Sequence, residues 1–168
     1  MPAPQPQTDA NTFLDGVIIP VLRDLGMDSP AAEKLLMMTA AHESMGFRYR
    51  AQVGGPALSY FQIEPATLED LYQNYLAYRP GRQAMLDIYL PAGMGRIDAL
   101  EHDDRYACAA ARLLYARVPD ALPVVSDDMA LAAYAKRYWN TDFGKATPEK
   151  YLDDFISYGP KPCPTGWA

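Results

Sequence analysis

This sequence has no apolar run long enough to span a bilayer, no cluster of Lys or Arg, and only two Cys and two His in 168 residues. Each shortage removes a class of protein. Membrane insertion is not expected. With 15 basic residues against 21 acidic ones and a formal net charge of −6, the chain lacks the basic surface that binding to nucleic acid requires. Cys108 lies in an Ala-rich helical run and Cys163 in a Pro-rich tail. That reads as two free thiols rather than a disulfide framework, with a Cys108–Cys163 bridge as the alternative. Metal ligands are equally scarce: His42-Glu43 lacks the second His of a zinc-protease helix, and His102 has only acids, Asp103 and Asp104 among them, beside it. Neither a metal nor another cofactor is expected. Residues 1–7 have neither the charged nor the apolar region of a signal peptide, so a cytoplasmic product delivered by another route is expected.

What the chain does have is apolar content, 49% of residues, enough to bury one core. The expectation is an extended N-terminal tail over 1–8, a single domain over 9–158 and a Pro-rich, extended C-terminal tail over 159–168. The stretch from Leu35 to Thr67 organises the domain. Between Lys34 and His42 the residues Leu35, Leu36, Met37, Met38, Thr39, Ala40 and Ala41 carry no charge on any side of a helix, as a buried central helix requires. Glu43 is the first acid after them. Helical spacing puts it on one stripe with Ala40 and Leu36, so its carboxylate projects along a core face at the last turn, before Gly46 ends the helix. Low dielectric and the negative helix end both disfavour ionisation there and raise the pKa. A carboxylic acid held protonated near neutrality can donate a proton; the alternative is an ordinary exposed Glu at a helix end.

The rest reads as a housing of helices. Residues 9–26 form the first, with an apolar face from Phe13 to Leu25 and a kink at Pro20. Ser29-Pro30 starts the central helix with a capping side chain and a proline at the first position. Residues 46–62 are loop or short strand. Pro65 opens a helix to about Tyr78, a short one covers 81–90, and Pro91–Gly95 is a loop. Asp103 or Asp104 caps a helix through Arg117, Ser126 starts another through Trp139, and Thr147-Pro148 starts the last. The fold class is mostly α, with a small loop/β region beside one buried helix.

The order Glu43-Ser44, Gly55-Pro56-Ala57, Phe61-Gln62-Ile63 and Pro65-Ala66-Thr67 resembles the soluble lytic transglycosylases and related phage peptidoglycan-cleaving domains, which are lysozyme-like enzymes. The resemblance implies an α+β lysozyme-like fold. It makes Glu43 the catalytic acid/base, Ser44 its neighbour and Gln62 a glutamine lining the sugar groove. Ser59 stands where that family usually has Gly; Ser59 and Tyr60, in the same turn, join the candidate substrate-binding residues. Leu131-Ala132-Ala133-Tyr134-Ala135 resembles the family's Ala-Tyr-Asn helix, whose tyrosine bonds the catalytic glutamate, although Ala135 replaces the Asn. Tyr138-Trp139-Asn140-Thr141 with Gly144-Lys145 resembles a variant in phage enzymes. By resemblance Tyr134 orients Glu43, while Tyr138 and Asn140 face the sugar; core packing is the competing role for these aromatics.

The expected activity is therefore cleavage of the β-1,4 bond between N-acetylmuramic acid and N-acetylglucosamine by one carboxylate, with peptidoglycan glycan strands as partner and no cofactor. An acidic chain has no electrostatic pull toward an anionic wall, so recognition would be local, in a groove. The other acids, including Glu64, Asp103, Asp104, Asp127, Asp128 and Asp142, fall at helix starts or in loops, where capping and solvation explain them. A water-using muramidase (endolysin) would need a second acid or a positioned water. A virion structural or wall-binding protein that keeps the fold without turnover is the third reading, resting on Ser59 and Ala135. Lack of a signal peptide, together with the phage-like second motif, points to a virion-associated protein acting at the bacterial cell wall, with other virion proteins as further partners.

Overall fold

A computed structural model describes residues 2–140 and 144–168, and it is mostly helical. Asp9 caps α1 (Ala10–Phe13), its carboxylate accepting from the Thr12 amide at 2.9 Å. A π turn over Leu14–Ile18 follows, then α2 (Ile19–Asp24). The disturbance expected at Pro20 thus falls one turn earlier. Pro20 has no N–H to give to Gly16, the Ile19 amide reaches five residues back to Leu14, and the Gly16 carbonyl accepts instead from Arg105 at 3.4 Å.

Ser29 caps α3 (Pro30–Glu43), accepting from the Ala32 amide at 3.1 Å. Every residue from Leu35 to Ala41 is buried. Each large apolar side chain there contributes roughly 2 kcal/mol by leaving water, well beyond the fractions of a kcal/mol that separate helix propensities. Tertiary packing is what holds α3. After the loop come α4 (Pro65–Asn74), a 3-10 turn over Leu76–Tyr78, and α5 (Pro80–Ile88). The short α6 (Arg96–His102) occupies a stretch the sequence pattern left unassigned. Asp103 caps α7 (Asp104–Ala116) through the Arg105 and Tyr106 amides. Asp127, rather than Ser126, caps α8 (Asp128–Tyr138), and Thr147 caps α9 (Pro148–Tyr158). Helices α7, α8 and α9 all pack on α3.

Between α3 and α4 the β character amounts, among the described residues, to isolated bridges Ala51–Leu58 and Leu58–Ile63. Gln7 and Trp167 are both tied to the fold. The Gln7 amide donates to the Phe47 carbonyl at 2.8 Å, and its side-chain oxygen accepts from Arg50 at 3.0 Å. The C-terminal residues are not an extended tail: a 3-10 turn over Thr165–Trp167 returns Trp167 to the core, 2% exposed and against Phe155 of α9. Its indole N–H donates to Glu33 at 3.2 Å, and its carbonyl accepts from the buried Lys34 at 3.1 Å. Lys34 also donates to the Val125 carbonyl at 2.9 Å and pairs with Asp128. An ammonium can be buried only with partners of this kind. Trp167 therefore fastens α3 to α9. Cys108, buried, and Cys163, exposed, are both free thiols. Among the described residues no helix is long and apolar enough to cross a membrane.

Candidate functional site

The last turn of α3 brings Glu43 to the floor of an open cleft. One hollow, of about 580 Å³, is lined by Glu43, Met45, Tyr49, Gln52, Val53, Ala57, Gln62 and Glu64. A second, of about 430 Å³, shares Gln62 and Glu64 and continues past Thr67 and Arg117 to Tyr138, Trp139 and Asn140. The shared pair makes one groove of the two. Burial pushes the Glu43 carboxyl above its ordinary pKa; a hydrogen bond from Tyr151 and the positive field of His42 act the other way and only partly offset it. The Tyr151 hydroxyl donates to Glu43 Oε1 at 2.6 Å. That hydroxyl is itself held protonated, by burial first and by the charge of Glu43 second.

The groove wall is a strained loop. Met45 (φ 52°), Gly46 (φ 72°) and Phe47 (φ 62°) turn the chain out of α3 in the left-handed region. Gly46 has to be glycine, since a Cβ there would stand 2.7 Å from the Tyr158 ring. Ser59 (φ 67°) and Gln62 (φ 50°) repeat the conformation at the far end. Such non-glycine residues cost about 1–3 kcal/mol each and collect where geometry serves a site. At Ser59 the hydroxyl recovers part of that by accepting from the Phe61 amide at 3.2 Å. Gln62 is aimed by its side-chain amide, which donates to the Ser59 carbonyl at 2.8 Å.

Several residues expected at the groove lie elsewhere. Ser44 is fully buried as the C-cap of α3; its hydroxyl donates to the Ala40 carbonyl at 2.6 Å and accepts from the Phe47 amide at 2.7 Å. Ser59 is buried in its turn. Tyr60, 1% exposed, belongs to the cluster with Phe13 and Phe47, under the Arg50 guanidinium. Tyr134 does not orient Glu43: it donates to the Asp120 carbonyl at 3.0 Å and packs against Tyr115 and Tyr138. Tyr151 of α9 holds that place, one of 12 tyrosines with no motif to mark it. Gln62, Tyr138 and Asn140 do line the groove. Tyr138 bonds the Asp120 carboxylate, and Asn140 accepts from Lys136 at 3.0 Å through its side chain. Ala135 is buried in α8.

Glu64 is the carboxylate whose reading changes most. It occupies the N-cap position of α4 but makes no capping bond through its side chain. It is exposed and lines both halves of the groove. Asp103 caps α7, Asp104 pairs with Arg50, Asp127 caps α8, Asp128 pairs with Lys34, and Asp98 is exposed on α6. Thr141 and Asp142 lie outside the described residues. Comparison with family models, curated proteins and solved structures returns no match to this chain. The candidate site therefore rests on its own geometry and on the motif order in the sequence.

Proposed function

We propose that the chain is a peptidoglycan-cleaving lytic transglycosylase of lysozyme-like architecture, virion-associated in a bacteriophage, with Glu43 as its acid and base. The observation that carries this reading is a carboxyl of raised pKa at the bottom of an open groove, held by a tyrosine hydroxyl. Protonated Glu43 gives its proton to the glycosidic oxygen and the C1–O bond breaks. The resulting carboxylate takes the proton of the muramyl 6-hydroxyl as that oxygen bonds to C1. One carboxyl thus serves both halves and ends protonated, and the tethered hydroxyl acts at high effective concentration. Motif order supports the glycan class, and Gln62, Tyr138 and Asn140 supply polar and aromatic groove contacts. Ser59 holds the left-handed conformation that glycine would, which weakens one of the two grounds for a non-catalytic reading.

One observation favours hydrolysis as a second reading. Glu64, exposed and making no cap, lines the same hollow as the half-buried Glu43 of raised pKa, and carboxylates in such unlike environments divide acid and base roles. Mass spectrometry of digested sacculi separates the two. Internal attack leaves muropeptides ending in 1,6-anhydro-N-acetylmuramic acid, lighter by one water, and they persist in Glu64→Gln. Reducing ends throughout, lost in Glu64→Gln, would replace the transglycosylase with a muramidase.

Groove and core residues separate by melting and activity together. Tyr134→Phe removes one bond to a backbone carbonyl and is expected to cost about 1 kcal/mol of stability with cleavage unchanged. Gln62→Ala is expected to lower turnover with little change in the melt. Thermal melts beside a turbidity assay check both; the opposite ranking would exchange their roles.

A further inference from the structure

Two helices meet behind Glu43. On α9, Tyr151 and Asp154 are three residues apart and so share a face; on α3, His42 precedes Glu43. Asp154 Oδ2 meets His42 Nδ1 at 2.7 Å, and the imidazole stacks on the Tyr151 ring with centroids 3.8 Å apart and planes at 30°. The second Asp154 oxygen pairs with Lys150, whose side chain is largely exposed, so the contact to His42 does not depend on it. His42 and Asp154 are largely buried, with side chains 13% and 10% exposed. No step of the glycosidic chemistry above uses either of them.

We propose that His42 and Asp154 are positioning residues that act on Glu43 through Tyr151. Asp154 fixes the imidazole, the imidazole carries the face of the tyrosine ring, and the ring brings its hydroxyl to Glu43 Oε1. The inference deepens the reading of Glu43 as the group that moves the proton. Its logic is geometric. A Tyr151 free to tilt would lengthen a 2.6 Å bond that depends on alignment, and the stack beneath it is what resists the tilt.

Positioning and simple charge have opposite signs at Glu43 for Asp154 and the same sign for His42, whose positive field favours the ionised form. The groups around it are His42 on α3, Tyr151 on α9 with Asp154 behind it, Tyr115 on α7, and Glu64 across the groove. Removing the Asp154 charge alone would relieve repulsion and lower the Glu43 pKa. Loosening Tyr151 would weaken a bond that favours the ionised form and raise it.

The test is a carbon-13 NMR titration of the Glu43 carboxyl in the full chain, which needs no turnover. Tyr151→Phe is expected to shift the titration upward. Asp154→Asn should shift it upward by less, and in the Tyr151→Phe background that upward shift should vanish or turn into the small downward shift of lost repulsion. His42→Gln should also shift it upward, through lost charge and a loosened ring together, so the part that disappears in the Tyr151→Phe background is what replaces Asp154→Asn if that variant fails to fold. Lys150→Met, with the stack intact, should leave Glu43 unmoved. In cleavage, Asp154→Asn should lose about three- to tenfold in turnover, the size expected for one weakened hydrogen bond. With Tyr151 present, a downward shift or no shift overturns the proposal, as does the same shift in both backgrounds. If Glu43→Gln still cleaves while the titrations behave as stated, the functional reading fails and the positioning role stands.

Discussion

Glu43→Gln is expected to keep the fold and to lower cleavage about a thousandfold, in turnover rather than in substrate binding. The amide has the shape of the carboxyl and can still accept from Tyr151, but it can neither give nor retake a proton, and positioned proton transfer accounts for about 10²–10⁴ in rate. A second consequence follows from the raised pKa. The folded chain holds the Glu43 proton more tightly than the unfolded chain does. The stability this supplies is complete below the unfolded pKa and disappears as pH rises through the folded one. Above the folded pKa the ionised parent therefore carries a penalty that the glutamine variant lacks. The variant should melt higher than the parent there, and the gap should close in acid. Parent turnover should fall as pH climbs through the raised Glu43 pKa, because the acid is then spent. Turbidity and melting curves across pH measure both. Residual cleavage within tenfold of the parent would remove Glu43 from the mechanism.

Trp167→Ala is expected to be the most damaging change outside the groove. The side chain is 2% exposed, packs on Phe155, and donates to Glu33. Truncating a buried tryptophan costs about 3–5 kcal/mol, which in a domain of this size lowers Tm by about 10 °C. Activity should fall as well, below the melting transition, since Trp167 ties α9 to α3 and so joins Tyr151 to Glu43. Circular dichroism melts read the first effect and cleavage at room temperature the second. A shift of less than about 3 °C would make the last ten residues a passive extension.

Trp167 also shows where sequence reading stopped. α3, its Ser29 cap, the Thr147 and Asp103 caps and the burial of Glu43 follow from local pattern, because each depends on residues within a turn or two. The Glu43 partner does not, for Tyr151 lies 108 positions away and meets it only after α9 packs on α3. Pro-rich composition around Trp167 describes the backbone between prolines and is silent on where an indole goes. At Glu64 the local rule misled. An acid before Pro65 looks like a cap, and only the absence of a capping bond leaves its carboxylate for the groove. Tyr134 matched a motif in order but not in depth, since α8 turns it toward Asp120.

The π turn at Leu14–Ile18 sets a rotational phase. A π turn is an α-helix carrying one surplus residue, and each helical residue advances the chain by about 100°. That surplus decides the compass bearing of α1 relative to α2, and so where Phe13 points. Phe13 sits with its centroid 5.1 Å from that of Phe47, 5.5 Å from that of Tyr60 and 6.0 Å from that of Phe61, beneath the loop whose end presents Gln62. With the surplus removed, the same helix would be just as helical, but Phe13 would face elsewhere and the loop would lose its footing. The aim of the groove wall is therefore written partly in the winding of a helix that never touches the groove.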